Sequence, residues 1–434
     1  MNKHLNCGGR MNKAFFESNK IQIYEMVTHC FYNVEYYRKR WKFKLPDIVN
    51  FTYDFFCKNI PILTKEEVFA NGRELVADGY IMEDLLKEGT SGTSGMPLSC
   101  YKSAKDRVML STILWKQRNN AVKGININDK FAHFYAFKKV NDEMVSGTVI
   151  EEKNILYLPL INLNEEQLLE NWKALEKFQP KWLQGGTTAI YYMAEVKKKY
   201  NIATINSIKM IELNGEYTSK EMYEFIKQEF ECEIVNHYGC REFWAMAFLC
   251  KNNHMHIVNK SVYMEAISNS LSGQKELLVT GLINKSWPLI RYKLDDHVDI
   301  DYVKCDSNFG DGFIVDIKYG RTSSYFTLAG GTRMNALAFA VILKNISNTN
   351  NPMLPSIRQF QIVKLSDAHI LLKLKFDEVV LEKSCVLVKI ENELRKVIAA
   401  SIKIDYEIVD FFVLSKNGKH KEFIDMSEMT NEVL

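Results

Sequence analysis

The sequence predicts an α/β protein with a large N-terminal domain and a small C-terminal domain. Between residues 180 and 260, a short apolar strand, a glycine-containing turn and a helix recur in that order. This rhythm is typical of α/β layers with ligand loops after the strands. Residues 369–376 then alternate apolar and polar side chains, and a helix over 381–399 and a strand over 406–414 follow. We therefore expect mixed sheets flanked by helices in a large multi-layer domain, and a small α+β, ferredoxin-like unit after it.

The N-terminal elements are predicted from periodicity and from capping residues. Residues 12–44 are amphipathic, rich in aromatic side chains and read as helical. Thr64, with Glu67 three residues later, has the spacing of a capping box. A helix over 105–122 and further short elements follow, with strands over 130–137 and 154–160 and a helix over 165–177.

The central part continues this alternation and then becomes β-rich. Helices are predicted over 187–200 and 219–230, and strands over 208–213, 233–236, 276–280 and 288–292. We place a domain boundary at Gly320, which gives domains 1–319 and 320–434. About 110 residues are enough for a small domain of its own.

Composition excludes several classes of protein. The chain of 434 residues is 47% hydrophobic, which is enough for a sizeable core, and its 56 basic and 53 acidic residues give a net charge of only +3. This balance predicts no nucleic-acid partner. Residues 1–10 lack the apolar core of a signal peptide, and no apolar run approaches the length of a membrane span. The nine cysteines have no paired spacing, so we expect reduced thiols and a cytoplasmic protein.

The stretch from Thr90 to Pro97, TSGTSGMP, alternates hydroxyl residues with glycines. Two glycines permit a tight backbone path, on which N–H groups and hydroxyls can converge on a phosphate. The stretch lacks both the Walker A ending G-K-[ST] and the Rossmann pattern G-x-G-x-x-G. Taken alone, such a cluster is more often a surface turn than a phosphate loop.

Further motifs follow this stretch in a fixed order. They are Gly215-Glu216, Tyr238-Gly239-x-x-Glu242, Arg291-Tyr292-x-x-Asp295-Asp296, Gly320-Arg321 and Asn417-Gly418-Lys419. The ordered series resembles the adenylate-forming superfamily of acyl-CoA ligases, and within it the phenylacetate-CoA ligase and CapK branch. The segments Pro61–Lys65 and Pro288–Tyr292 support this resemblance, which extends from about residue 20 to about residue 425.

The resemblance implies chemistry in two halves. A carboxylic acid attacks the α-phosphate of ATP and forms an acyl-adenylate, and a nucleophile such as the thiol of coenzyme A then displaces AMP. Because the attack brings two anions together, positive charge and Mg²⁺ must offset their repulsion.

The resemblance also assigns roles to individual residues. It implies phosphate contacts from Thr90, Ser91, Gly92, Thr93, Ser94 and Gly95. It implies a base and ribose site built by Gly215, Glu216, His237, Tyr238, Gly239, Asp296 and Arg321. Glu242 would bind Mg²⁺ as a hard oxygen ligand, and Lys419 and Arg291 would be catalytic, Lys419 by bridging the carboxylate and the α-phosphate from the mobile small domain.

Each of these residues also has an ordinary structural interpretation when it is taken singly. Tyr238 fits a buried core tyrosine, Glu242 a solvated glutamate at a helix start, and Arg321 a surface arginine. Lys416 and Lys421 make Lys419 part of an ordinary solvated cluster.

The sequence departs from the family pattern at three places. Asp295 replaces the usual glycine before the ribose aspartate, residues 322–324 replace acidic hinge residues, and Met96 replaces a lysine. These changes leave open a homologue that binds nucleotide without catalysis.

A zinc site is a further implication of the resemblance, because some members of this branch carry a structural zinc. Cys250, His256 and Cys305 match three ligand positions, and the partner position of Cys305 is Ser307. Asp306 or His254 would have to supply the fourth ligand, since structural zinc sites close with four. Free cysteines are the alternative.

The acceptor and the assembly stay open at the level of sequence. Coenzyme A is the acceptor that most of the family implies. The CapK resemblance also suggests an amine or sugar acceptor in surface-polysaccharide biosynthesis, which is an association rather than site chemistry. The sequence sets no oligomeric state, and a dimer is one option.

Overall fold

The computed structural model describes most of the chain. The described residues are 9–89, 98–135, 138–140, 143–145, 147–160, 163–215, 218, 220–268, 275–319, 325–329, 333–335, 343, 357–376, 383–396, 398–409 and 423–426. Their helices are α1 Arg10–Asn33, α2 Glu35–Arg40, α3 Tyr53–Asn59, α4 Lys65–Ala70, α5 Ala104–Ala121, α6 Glu165–Phe178, α7 Thr187–Tyr200, α8 Lys220–Phe230 and α9 Lys383–Arg395.

The strands confirm the predicted α/β class. They are β1 Leu86–Gly89, β2 Ser99–Lys102, β3 Phe131–Tyr135, β4 Lys138–Val140, β5 Glu143–Val145, β6 Ile150–Glu152, β7 Ile155–Pro159, β8 Trp182–Gly185, β9 Met210–Asn214, β10 Glu233–Cys240, β11 Trp244–Leu249, β12 Met255–Ile257, β13 Val262–Ser268, β14 Lys275–Gly281, β15 Tyr292–Val303, β16 Gly312–Tyr319, β17 Tyr325–Thr327, β18 Arg333–Asn335, β19 Ile357–Ser366, β20 His369–Phe376, β21 Lys403–Ile408 and β22 Phe423–Asp425.

Side-chain caps define the starts of several helices. The predicted capping box is present, since Thr64 Oγ1 accepts the Glu67 N–H while the Glu67 carboxylate accepts the Thr64 N–H. Ser103 caps α5 in the same position by accepting the Asp106 N–H. The predicted helical region 12–44 is not continuous, because Val34 is extended and bridges to Ala77, and the second helix ends at Arg40.

The chain divides into two compact units, one of residues 1–89, 99–127 and 235–321, the other of residues 90–98, 128–234 and 322–434. The first unit contains an antiparallel sheet in the order β13-β14-β15-β16-β12-β11-β10. Helix α1 packs against β13, where the Asn12 side chain bonds both the carbonyl and the N–H of Ala266. Phe15, Phe16 and Tyr263 form a buried aromatic cluster there.

The first unit corrects one predicted strand. Residues 288–291 are not part of a strand, and β15 begins only at Tyr292. Leu63 pairs in parallel with Tyr292, accepting the Lys293 N–H and donating its own N–H to the Arg291 carbonyl. The apolar residues 288–291 therefore form a loop before β15 and do not lengthen the strand.

The second unit begins with a mostly parallel sheet in the order β6-β7-β3-β8-β9, in which β6 is the antiparallel edge. Helices α6, α7 and α8 bury apolar faces in one core with this sheet; its members include Trp172, Leu183, Met193 and Ile211. This part matches the predicted strand–turn–helix rhythm.

The C-terminal part of the second unit has its own sheet, in the order β21-β20-β19-β22. Strands β19 and β20 are antiparallel, whereas β21 and β22 join them in parallel. A core that includes Ile362, Leu372, Ile390 and Ile402 fills the space beneath α9, and all of its described members follow residue 320. The predicted boundary at Gly320 itself lies outside the described residues and stays a prediction.

The described helices differ from membrane-spanning helices in length or in composition. None of them combines the length and the apolar character needed to cross a bilayer.

Candidate functional site

Two residues of the predicted nucleotide site meet directly in the first unit. The Tyr238 hydroxyl, from β10, donates a hydrogen bond of 2.5 Å to Asp296 Oδ2, from β15. Asp296 is 6% exposed and Tyr238 is half-buried. The contact joins residues 58 positions apart in the sequence, and it leaves an aromatic ring and a carboxylate side by side. The side chain of the neighbouring Asp295 lies outside the described part of the structure.

The backbone after Tyr238 accepts only glycine. The pairing of β10 with β11 shifts register between Tyr238 and Gly239, and a Cβ added at Gly239 would lie 2.2 Å from the Trp244 carbonyl oxygen. Trp244 itself has a φ of 61°, an uncommon value for a bulky residue. The bulge thus depends on the absence of a side chain at position 239.

Glu242 lies in the turn between these two strands and is only 7% exposed. The Tyr292 hydroxyl donates a hydrogen bond of 3.3 Å to Glu242 Oε1. Burial, and then the negative charge of Glu242, raise the pKa of Tyr292 well above its usual value, so this phenol stays a donor. A held, buried carboxylate has the chemistry of a Mg²⁺ ligand.

A set of residues that sequence reasoning missed surrounds this turn. Glu88, in β1, accepts hydrogen bonds from Lys102 Nζ at 3.1 Å and from Trp244 Nε1 at 2.9 Å. Lys102 Nζ also donates to the Arg241 carbonyl at 2.7 Å. The signal in the sequence was weak: opposite charges in two short segments that flank the predicted phosphate loop.

Arg291, which the sequence predicts to be catalytic, is buried in contacts within the first unit. Its side chain is 4% exposed and forms an ion pair with Glu265, with Nε 3.0 Å from Oε2. One guanidinium nitrogen, Nη1, donates to the carbonyls of Cys57 and Ile60, at the end of α3. The guanidinium therefore joins the end of α3 to Glu265 in β13, and the catalytic role of Arg291 stays a prediction.

The predicted metal ligands form one cluster in the first unit. One potential ligand atom from each of Cys250, His254, His256 and Cys305 lies within 4.8 Å of the others. The two sulfur atoms are 3.8 Å apart, which is about the edge of a tetrahedron with Zn–S bonds of roughly 2.3 Å. His254 Nδ1 and His256 Nε2 are buried without a hydrogen-bond partner among the described residues. The cluster fits a tetrahedral Cys₂His₂ site.

Of the two candidates for the fourth position, His254 lies with the other three residues. The Asp306 carboxylate instead accepts a hydrogen bond from Asn252 at 2.6 Å and pairs with Lys251. Burial raises the pKa of Cys305. Hydrogen bonds with the side chains of Ser307, His254 and Asn252 have the larger, opposite effect, and the pKa falls to about 5. A thiolate is the form of cysteine that binds metals.

Of the remaining predicted site residues, the structure describes His237 and Gly215. His237 stacks on Phe248 within the first unit, and Gly215 follows β9 in the second unit with a φ of 74°, where a Cβ would be strained. Outside the described residues lie Thr90, Ser91, Gly92, Thr93, Ser94, Gly95, Glu216, Arg321 and Lys419.

Comparison with known proteins places these observations in context. No protein-family model matches the chain. Protein CapK of Staphylococcus aureus is 25% identical over 257 residues, which are 56% of this chain and 54% of CapK. The match thus spans about half the length of that relative.

Solved structures match over nearly the whole chain. A 2-hydroxyisobutyryl-CoA ligase in its postadenylation state, bound to R3-HIB-AMP, is 14% identical and has a TM-score of 0.55, with 96% of this chain and 90% of that chain covered. The same ligase bound to 2-HIB-AMP and CoA is 13% identical, with a TM-score of 0.56 and coverages of 96% and 92%. The chain has the fold of these adenylate-forming ligases, and the CapK match supports the predicted branch.

Proposed function

We propose that this chain, with the fold of the adenylate-forming ligases, is an ATP- and Mg²⁺-dependent enzyme that activates a carboxylic acid as an acyl-adenylate and transfers the acyl group to the thiol of coenzyme A. The observation that carries the proposal is the hydrogen bond between Tyr238 and Asp296, beside a glycine that cannot be replaced and a buried glutamate. Two motifs that are separate in the sequence, Tyr238–Glu242 and Arg291–Asp296, are adjacent in space.

The described residues have distinct roles in this proposal. Asp296 accepts the ribose hydroxyls with its two carboxylate oxygens, and the Tyr238 hydroxyl holds that carboxylate in position. The ring of Tyr238 stacks on the adenine, and Gly239 leaves room beside it. Glu242 would hold Mg²⁺, which neutralises phosphate charge when it is bound.

The reactive step depends on residues that are predicted from the sequence alone. Thr90 to Gly95 bind the β- and γ-phosphates, and Lys419 neutralises the substrate carboxylate and the α-phosphate as they approach. The carboxylate oxygen forms a bond to the α-phosphorus, and the bond to the departing pyrophosphate breaks. Arg321, Gly215 and Glu216 complete the nucleotide site. A small domain, 320–434, brings Lys419 to the site and later withdraws it.

The proposal is tested by ATP–pyrophosphate exchange with a panel of carboxylic acids. We expect exchange with at least one acid in the wild type and a loss of about 10²-fold or more in Lys419→Ala, because one electrostatic contact to a transition state has this size. Lys416→Ala and Lys421→Ala are matched controls from the same cluster and should keep wild-type exchange. Tight AMP binding without exchange for any acid would instead show a non-catalytic homologue.

The acceptor is tested separately. Similarity to CapK favours an amine or sugar acceptor as a second candidate, in the surface-polysaccharide setting that the sequence suggested. Product analysis by mass spectrometry with and without coenzyme A separates the two: a thioester that forms only with coenzyme A supports the first candidate. An amide or ester that forms equally without it supports the second.

We further propose that Cys250, His254, His256 and Cys305 hold a structural zinc ion. Two thiolates and two imidazoles make a closed set without an open position for substrate. The ion would tie the end of β11 and the start of β12 to the segment after β15, and it takes no part in the reaction.

A further inference from the structure

Two charged side chains link the strands that flank residues 90–97. Strands β1 and β2 are antiparallel, with Glu88 opposite Cys100 and Lys102 opposite Leu86. Glu88 and Lys102 are therefore diagonal neighbours, close enough for their side chains to meet. The Lys102 side chain is fully buried and that of Glu88 is 14% exposed. A lysine is rarely buried to this degree without paired contacts, so the geometry of this pair is strongly constrained.

Glu88 and Lys102 also form hydrogen bonds on both sides of the turn that carries Glu242. We call Glu88, Lys102 and Trp244 the clamp. Lys102 Nζ binds the carbonyl of Arg241, directly before Glu242, and Glu88 Oε2 binds the indole N–H of Trp244, two residues after it. Trp244 has a positive φ, which is strained for a bulky residue, and the hydrogen bond to Glu88 holds its side chain. The turn thus has a charged anchor on each flank.

Two further groups complete the surroundings of this clamp. Arg107 Nε lies 3.8 Å from Glu88 Oε1, and its guanidinium carbon lies 6.0 Å from the centre of the Trp244 ring. On the other side, the Tyr292 hydroxyl contacts the Glu242 carboxylate itself. The backbone of the turn and the head of Glu242 are therefore held by different residues.

We propose that Glu88, Lys102 and Trp244 are positioning residues that fix Glu242 for binding of the Mg²⁺ carried by ATP. Mg²⁺ requires nearly ideal octahedral geometry, so a carboxylate that supports it must be held within a fraction of an ångström. Glu88 and Lys102 connect the turn of this carboxylate to strands β1 and β2. The inference rests on the proposed function, since it takes Glu242 as the metal carboxylate.

The test separates positioning from general stability by replacing only one donor. Trp244→Phe keeps an aromatic ring and removes the N–H that binds Glu88. Trp172→Phe is the matched control, because Trp172 Nε1 donates at 2.9 Å to the Met193 carbonyl in the second unit. Both variants lose one indole hydrogen bond, but only the first loses a hydrogen bond of the clamp.

Calorimetric titration with ATP, with Mg²⁺ and with EDTA, gives the readout. We expect Trp244→Phe to weaken binding of MgATP about tenfold, the factor that the loss of a hydrogen bond to a charged group produces, and to leave binding of Mg²⁺-free ATP unchanged. Trp172→Phe should match the wild type in both titrations. Equal behaviour of the two variants, or an equal loss with and without Mg²⁺, would overturn the inference.

Lys102 gives a second and independent variant. Lys102→Met should weaken MgATP binding at least as much as Trp244→Phe, and Lys102→Arg should restore part of it by keeping the charge. If Lys102→Met does not fold, Glu88→Gln replaces it with the same expected direction. If the wild type binds no MgATP, both the proposed function and this inference are contradicted. If the wild type binds MgATP and every variant at Glu88, Lys102 and Trp244 binds it equally tightly, only the inference is contradicted.

Discussion

Single residues set the shape of the candidate site where no other residue type fits. At Gly239 the limit is steric, because a methyl group would overlap the Trp244 carbonyl. At Tyr238 it is chemical, because its hydroxyl donates the hydrogen bond to Asp296 and a phenylalanine could not. Both positions lie in the strand that leads into the turn of Glu242.

Gly239→Ala is expected to destabilise the protein and to impair nucleotide binding. The clash is with backbone, which cannot move away as a flexible side chain can, and we expect a loss of about 2–3 kcal/mol in the free energy of unfolding. Gly72→Ala is the matched control, since its added Cβ would meet only the Val68 carbonyl at an ordinary 3.6 Å. Denaturant unfolding measures both, and equal stability of the two variants would refute the steric argument.

Strand ends are the elements that bring the metal cluster together. Cys250 follows β11, His256 lies in β12 and Cys305 follows β15. The pairing of β11 with β12 sets the separation of the first two residues, and His254 lies in the turn between these strands. An ion bound there would fasten three chain segments at one point.

Purified protein is expected to contain about one zinc ion per chain. Cys250→Ser should abolish this content and lower the melting temperature, because binding to the folded state contributes to stability. Cys232→Ser is the control, as that half-buried cysteine lies outside the cluster. Metal content is measured by atomic emission. Zinc-free wild-type protein with an unchanged melting temperature after chelation would exclude a structural ion.

At the scale of the whole molecule, a buried ion pair connects distant segments of the first unit. Arg291 and Glu265 are 26 residues apart, and Arg291 also binds carbonyls more than 230 residues away at the end of α3. Burial raises the pKa of Glu265, against the lowering effect of Arg291. Removing the arginine would leave a carboxylate in an apolar environment, where its charge is costly.

Arg291→Met is therefore expected to reduce the free energy of unfolding by about 3–5 kcal/mol. The double variant Arg291→Met with Glu265→Gln should recover part of the loss, because the unpaired charge is gone. Arg73→Met, which breaks an exposed pair with Glu83, should cost less than about 1 kcal/mol. Chemical denaturation gives the comparison. Normal stability with abolished pyrophosphate exchange in Arg291→Met would support the catalytic role that the sequence suggested.

Many helices and strands were predictable because their formation depends on residues that are close together in the sequence. The Thr64 capping box, helix α5 and the alternation through α8 follow from spacing that neighbouring residues enforce. The predicted strand over 288–292 was wrong because an apolar run is compatible with either a strand or a buried loop. The ion pair of Arg291 was not predictable for a related reason: a charged residue within a motif has the same sequence signature whether it faces a substrate or a buried glutamate.

The sequence by itself determined the α/β class, the order of the motifs and the candidate residues of the nucleotide site, since these depend on residue type and spacing. Only the tertiary structure decided which residues meet. Tyr238 meets Asp296. His254, and not Asp306, lies with Cys250, His256 and Cys305. Glu88 and Lys102 lie against the turn of Glu242. These contacts join residues up to 156 positions apart, and no local pattern records a contact that exists only after the strands have paired.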